Sequence, residues 1–223
     1  MRYCEEEIAQ TGFLQRSLRL GRDEVNYSVF VPHGWDRRAG RAGVLFLHGA
    51  GETGTDGVLP TTVGMGPAIR KREARFPFLV AFPQSHRGSW MEGSPDAGAA
   101  MRVLDEVAAE WGVGPVHLTG ISMGGYGAWS LAAAYPHRWA TLVPVCGGGR
   151  ESDAPQILRI PCWAFHGAAD EIIPVTASRA MVAALRDAGA EPRYTEYAGV
   201  GHNSWDLAYD TEALYDWWSE HSR

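Results

Sequence analysis

The stretch Gly120-Ile121-Ser122-Met123-Gly124 follows a short apolar run, residues 116–119, and precedes a segment rich in small residues, 125–134. A G-x-S-x-G motif between a strand and a helix is the pattern of a nucleophile elbow, in which the serine occupies a sharp, strained turn. The flanking glycines remove the side chains that would collide there. The pattern predicts that Ser122 is an exposed nucleophile. The alternative is a tight turn whose serine only caps the next helix.

Size and composition narrow the possible functions. The chain has 223 residues, enough for one sizeable core, and a net charge of −6, which argues against a nucleic-acid partner. No apolar run approaches the ~20 residues that a membrane helix needs. Residues 1–7 are acidic and lack an apolar segment, so they do not resemble a signal peptide.

The cysteines favour a reducing compartment. Cys4, Cys146 and Cys162 are odd in number and widely spaced, which fits neither a metal motif nor a disulfide framework. We therefore expect reduced thiols in a cytoplasmic protein. Acyl transfer by a serine nucleophile, for which the motifs below argue, needs no metal and no organic cofactor.

Apolar runs and turn signals predict the order of the elements. A hairpin is predicted over residues 13–31, where the second strand alternates apolar and polar residues. Further strands are predicted at residues 44–47, 78–82, 116–119, 140–146, 162–166 and 193–197. Helices are predicted at residues 67–75, 97–111 and 125–134, from residue 176, and near the C-terminus. Continuous apolar strands are typical of a parallel sheet buried on both faces.

The sequence thus predicts one α/β domain over residues 1–223. Its central sheet is mostly parallel, with helices on both faces and an antiparallel hairpin at the N-terminus. Residues 147–161 are too few to form a lid domain, so we expect an open cleft. Arg70, Lys71, Arg72 and Arg75 are expected to form a solvated face of the predicted helix at residues 67–75.

A glycine-rich loop, residues 48–54, follows the predicted strand 44–47. It lacks the spacing and the lysine of a phosphate-binding loop. Such a loop can instead supply an oxyanion donor, and we assign that role to the amides of Ala50 and Met123. His48 is expected to hydrogen-bond its own loop rather than to act as a base. Glu52 is either a solvated loop residue or an acidic lip that favours a substrate with a positive end.

A serine nucleophile needs a base, and the base needs a carboxylate. His202 follows the last predicted strand on a glycine-flanked loop. Of the other downstream histidines, His137 is expected at the far side of the sheet, His166 ends the strand before the acid loop, and His221 lies in the tail. Asp170 follows the penultimate strand and is the expected acid, with Asp153 as the runner-up. His166 is expected to brace the acid loop, and capping of a turn is the alternative role of Asp170.

The substrate pocket is less well defined by sequence. We expect its lining to include Gly49, Gly51, Trp90 and Trp205. Trp90 lies on a loop after a predicted strand, where it could form one wall of an acyl pocket or simply pack in the core.

These motifs together resemble the α/β-hydrolase superfamily. Within it, the chain is similar to the compact lidless carboxylesterases, including the acyl-protein thioesterase-like, feruloyl-esterase-like and predicted-peptidase branches. The motifs that carry the resemblance are residues 47–54, 120–125, 166–170 and 201–202, and the similarity spans about residues 25–220.

The resemblance implies an α/β-hydrolase fold and hydrolysis of an ester or thioester. We expect a serine carboxylesterase that acts on short or aromatic acyl esters of small molecules, as a monomer or a homodimer. A serine peptidase or a thioesterase on the same residues is the alternative, and a binding protein on an inactive hydrolase fold is a third reading. Activity should fall in acid, because a protonated histidine cannot act as a base.

Overall fold

Eight strands form one sheet in the computed structural model, which describes residues 10–222. They are β1 (Gly12–Leu20), β2 (Asp23–Val31), β3 (Gly43–Leu47), β4 (Leu79–Pro83), β5 (Val116–Ile121), β6 (Thr141–Val145), β7 (Trp163–Gly167) and β8 (Arg193–Tyr197). The order across the sheet is β1-β2-β4-β3-β5-β6-β7-β8. β2 is antiparallel to both β1 and β4, and the remaining neighbours are parallel. Features predicted for residues 1–9, including Cys4, lie outside the described range.

Seven α-helices cover the two faces of this sheet in the described chain. They are α1 (Met65–Arg70), α2 (Pro95–Trp111), α3 (Met123–Ala134), α4 (Ala154–Ile157), α5 (Thr176–Asp187), α6 (Trp205–Asp210) and α7 (Glu212–Glu220). Leu45 and Leu47 of β3 pack in a core with residues of α2, α3, α4 and α5, whereas Val44 and Phe46 pack with α1, α6 and α7. Burial on both faces explains the unbroken apolar run of β3. The predicted α/β architecture, with helices on both faces and an N-terminal antiparallel pair, is confirmed.

The connection between β6 and β7 is short and contains no inserted domain. Residues 146–162 contain only a short 3-10 helix, Glu151–Asp153, and the single turn of α4. Among the described residues, no helix is long and apolar enough to cross a membrane.

The segment predicted as a helix over residues 67–75 is divided, because α1 ends at Arg70 and a 3-10 turn follows at Glu73–Arg75. Arg72 does not belong to a solvated face, since only 7% of its side chain is exposed. Its guanidinium donates to the Tyr209 carbonyl and forms an ion pair of 3.0 Å with Asp210. The prediction for Arg72 was wrong because the end of α6 packs over it, and local charge patterning carries no information about that contact.

The serine turn between β5 and α3 is closely packed on neighbouring backbone. Ser122 has φ of 52° and ψ of −117°, a conformation that non-glycine residues rarely adopt. A Cβ on Gly120 would overlap the Gly124 carbonyl, and one on Gly124 would overlap the carbonyl of Leu47. A Cβ on Gly125 would lie 2.6 Å from the Val145 carbonyl. The small residues therefore allow α3 to approach the ends of β3 and β6.

We expect Gly124→Ala to lower the free energy of unfolding by about 3 kcal/mol, because rigid backbone must move to make room for the methyl group. Gly98→Ala is the matched control, since Gly98 lies in α2 and a Cβ there meets nothing within 4 Å. The control should gain about 0.5–1 kcal/mol from helix propensity and reduced chain entropy. Urea unfolding followed by tryptophan fluorescence measures both values. Equal stability of the two variants would contradict the close approach.

His117 is a buried histidine on β5. Its Nδ1 lies 2.9 Å from the Thr141 hydroxyl and its Nε2 lies 3.0 Å from the Ser222 hydroxyl, while its ring stacks on Trp218 at 5.3 Å. Burial, together with the nearby His221, lowers the pKa of His117 to about 3. The folded protein therefore holds this imidazole neutral over the whole neutral and mildly acidic range.

Stability should consequently fall as the pH is lowered from about 6.5 towards 3, because the unfolded chain takes up a proton at His117 that the folded chain refuses. Replacing His117 with Asn removes this titration, so His117→Asn should lose less stability between pH 7 and pH 4.5 than the parent protein. Urea midpoints at the two pH values give the comparison. An identical pH-dependent loss in the variant would exclude His117 as a source of acid sensitivity.

Candidate active site

Three side chains from separate loops meet at the carboxyl-terminal edge of the sheet. His202 Nε2 lies 2.9 Å from the Ser122 hydroxyl oxygen, and His202 Nδ1 lies 2.8 Å from Asp170 Oδ2. Ser122 follows β5, Asp170 follows β7 and His202 follows β8. Because the carboxyl ends of parallel strands share one edge, residues far apart in sequence come into contact there. The structure thus brings together the three residues to which the sequence analysis assigned catalysis.

Asp170 accepts hydrogen bonds from several directions. Besides His202, the Ile172 and Ile173 amides both donate to its Oδ1 at 2.9 Å. Burial acts to raise the pKa of Asp170, but the hydrogen bonds from His202, Ile173 and Ile172 outweigh it and hold the pKa below its ordinary value. Asp170 is therefore ionised at neutral pH. It caps its own turn and contacts His202 at the same time, so the two roles considered for it are compatible.

The partners of His202 determine its tautomer. A carboxylate oxygen can only accept, so the proton of a neutral His202 resides on Nδ1 and the lone pair of Nε2 faces the Ser122 hydroxyl. The ring of Trp205 stands edge-on to this imidazole, with centroids 5.3 Å apart. The arrangement has the geometry required for a histidine to remove a proton from the serine.

His166 is a second imidazole beside the same carboxylate. Its Nε2 lies 3.2 Å from Asp170 Oδ2 and 2.9 Å from the Ile173 carbonyl, so it faces two acceptors and must carry a proton. Its Nδ1 lies 2.7 Å from the hydroxyl of Ser178, a residue that the sequence analysis did not single out. His166 braces the acid loop, as its position in the sequence suggested. No motif marks Ser178, because a serine in the first turns of a helix has no distinctive pattern.

His48 shapes the loop opposite Ser122. Burial lowers the pKa of His48 to about 4, so the ring is neutral. Its Nε2 accepts from the Ser85 amide at 2.9 Å, and its Nδ1 therefore donates to the Gly49 carbonyl at 2.6 Å. The Gly49 carbonyl and the Ala50 N–H belong to one planar peptide, so this hydrogen bond also fixes the direction of the Ala50 amide.

The two amides considered as oxyanion donors have similar local positions. Met123 is the first residue of α3, and Ala50 is the first residue of a 3-10 helix, Ala50–Glu52. Amides at the first position of a helix have no partner within it and are open to a ligand. A Cβ on Gly49 would lie 3.6 Å from Cβ of Ser122, so the loop lies beside the serine.

The residues expected to line the pocket have different surroundings. Trp90 is 1% exposed and its Nε1 donates to the His48 carbonyl at 3.0 Å, so the prediction that it lines the pocket is wrong. The loop after β4 folds beneath the His48 loop and places this ring in the core, which was the alternative considered. Gly49 is buried next to Ser122, Gly51 is exposed, and Trp205 is half-buried beside His202.

Asp153 was the second candidate for the acid. Its carboxylate accepts a hydrogen bond of 3.0 Å from the Arg150 guanidinium rather than from His202. Cys146, Asp170 and His202 place one possible metal-ligand atom each within 4.8 Å of one another. Burial raises the pKa of Cys146 to about 12, so its thiol is protonated and a poor ligand.

The chain is similar to several hydrolases of known structure. A thermostable esterase of known structure is 31% identical, with a TM-score of 0.86, and the match covers 95% of this chain and 63% of that one. The chain therefore spans less than two thirds of the length of that esterase. A ferulic acid esterase (16% identity, TM-score 0.71, covering 96% of this chain and 99% of that one) shares the fold.

Pyrococcus horikoshii acylaminoacyl peptidase also shares the fold, at 13% identity and a TM-score of 0.67 over 95% of this chain and 41% of that one. The comparison with curated proteins gave no match. The model of the dienelactone hydrolase family, within the α/β-hydrolase superfamily, matches residues 80–221, which is more than half of the chain and includes Ser122, Asp170 and His202. The protein therefore belongs to the dienelactone hydrolase family.

Proposed function

We propose that the protein is a serine carboxylesterase in which Ser122, His202 and Asp170 form a catalytic triad. The observation that carries the proposal is the pair of contacts at His202, 2.9 Å to the Ser122 hydroxyl and 2.8 Å to the Asp170 carboxylate. Family membership and the similarity to an esterase support the reaction class. Small-molecule esters are the proposed substrates.

In the proposed reaction, His202 Nε2 takes the proton of Ser122 as its oxygen attacks the ester carbonyl. The resulting oxyanion accepts hydrogen bonds from the Met123 and Ala50 amides, each worth about 3–4 kcal/mol in comparable sites. The C–O bond to the alcohol then breaks, and His202 returns the proton to the departing alcohol. Water, activated by the same imidazole, hydrolyses the acyl-enzyme and releases the acid.

The surroundings of the triad favour short or aromatic acyl groups. Trp205 stands beside His202, and two large apolar side chains, Ile172 and Leu207, are 71% and 45% exposed on the segments that follow Asp170 and His202. Exposed apolar side chains on these segments can contact a compact acyl group without enclosing a long chain.

We expect Ser122→Ala and His202→Ala each to lower kcat by about 10⁶-fold while the proteins stay folded, because the two residues act as a unit. Asp170→Asn should lose less, about 10⁴-fold, since the histidine and the nucleophile remain. Hydrolysis of p-nitrophenyl acetate and labelling by a fluorophosphonate measure the loss, with circular dichroism as the test of folding.

Asp153→Asn is the matched control for the acid, because it removes a carboxylate that pairs with Arg150 instead of His202. Its activity should stay within about twofold of the parent, as is usual for an exposed ion pair. A greater loss in Asp153→Asn than in Asp170→Asn would transfer the role of the acid to Asp153.

Parallel assays separate esterase from peptidase and thioesterase activity. We expect turnover of p-nitrophenyl and feruloyl esters to exceed that of an aminoacyl-nitroanilide or a thioester, since an amide nitrogen is a poor leaving group that needs additional protonation. Faster cleavage of the nitroanilide would favour a peptidase. Failure of every substrate together with no fluorophosphonate labelling would favour the inactive hydrolase fold.

A further inference from the structure

Glu52 is a half-buried carboxylate next to the nucleophile. Its Oε2 accepts the Gly49 amide at 3.0 Å, and 17% of its side chain is exposed. A methyl group placed on Gly49 would touch both this oxygen, at 3.3 Å, and Cβ of Ser122, at 3.6 Å. The Glu52 carboxylate and Ser122 thus both border the space beside Gly49.

No cation balances this charge among residues 10–222. The only basic side chain within 4.0 Å of Glu52 is His48, whose ring is neutral. Burial, partly offset by the hydrogen bond from the Gly49 amide, raises the pKa of Glu52. A negative charge here also opposes the oxyanion that would form at the neighbouring amides.

The hydrogen bond to Gly49 does not require the charge. A residue at this position of a helix start can reach back to the preceding backbone amide equally well as Glu or as Gln. The structural role of Glu52 therefore leaves its negative charge unexplained, although that charge carries a desolvation cost.

The segments that carry Asp170 and His202 also bear exposed negative charges. Glu171 and Asp206 are exposed on the segments that carry Asp170 and His202. Arg150, on the loop after β6, is already paired with Asp153 at 3.0 Å. Two of the segments that carry the proposed triad thus bear exposed carboxylates.

We propose that the site takes esters that bear a cationic group near the scissile carbonyl, and that Glu52 receives this group. The inference rests on the proposed esterase function and adds a substrate class to it. A cation on the substrate supplies the missing counter-charge of Glu52 and offsets its repulsion of the oxyanion. An ammonium group can be carried on either the acyl or the alcohol side of the ester.

The experiment compares Glu52→Gln with the parent protein on esters matched in shape. Choline butyrate and its analogue with tert-butyl in place of trimethylammonium form the alcohol pair. Methyl butyrate with a terminal trimethylammonium group and its tert-butyl counterpart form the acyl pair. Each pair differs in charge alone, and Glu52→Gln retains the acceptor for the Gly49 amide. Glu106→Gln, on the exposed surface of α2, controls for the loss of one net charge.

In the parent protein we expect kcat/KM for the charged ester of at least one pair to exceed that of its neutral partner by about five- to tenfold. The preference should disappear in Glu52→Gln, persist in Glu106→Gln and shrink as salt is raised. The pair that responds identifies the side of the ester that carries the cation.

Equal rates for both members of each pair in the parent protein would overturn the inference. So would a Glu52→Gln variant that changes charged and neutral esters by the same factor, which would indicate a structural role alone. Failure of the esterase proposal is distinguishable from these outcomes, because the neutral esters would then not be hydrolysed in a Ser122-dependent manner.

Discussion

The close approach between the serine turn and the ends of β3 and β6 is the constraint on which the rest of the molecule depends. Ser122 is held at a positive φ, and the glycines around it lie against backbone carbonyls rather than against side chains. Such contacts cannot relax by changing a rotamer, so the position of the Ser122 hydroxyl follows directly from the packing of the sheet. The strain at one residue is maintained because the surrounding backbone leaves no alternative.

The carboxylate of Asp170 is the second fixed point. Two backbone amides of its own loop donate to it. His202, on the loop after β8, and His166, on β7, also contact it. A group held by so many partners loses little orientational freedom, and its charge is stabilised despite burial. The carboxylate therefore fixes the tautomer of a neutral His202.

The sequence was sufficient to predict the contacts that follow from the order of the strands and from the positions of their ends. Ser122, Asp170 and His202 each follow a strand of a parallel sheet, and that topology alone is enough to predict that they meet. The surroundings of Arg72 and Trp90 were harder to predict, because they depend on segments that are distant in sequence. These segments are the end of α6 for Arg72 and the His48 loop for Trp90. A run of basic residues or a loop tryptophan looks the same in sequence whether it is covered or exposed. Ser178 was missed for the same reason, since its contact with His166 is created only by the packing of α5 on β7.

Three histidines lie at this one edge of the sheet, and their partners give each a different chemistry. The ring of His48 lies between the Ser85 amide and the Gly49 carbonyl, so both its nitrogens are engaged by backbone. His166 directs Nε2 at two acceptors and cannot offer a lone pair there. His202 directs the lone pair of Nε2 at the Ser122 hydroxyl, while its Nδ1 is bound to the Asp170 carboxylate. Residue type therefore does not select the base. In the proposed reaction, the base is distinguished by an Nε2 that is free to accept a proton and that faces the Ser122 hydroxyl.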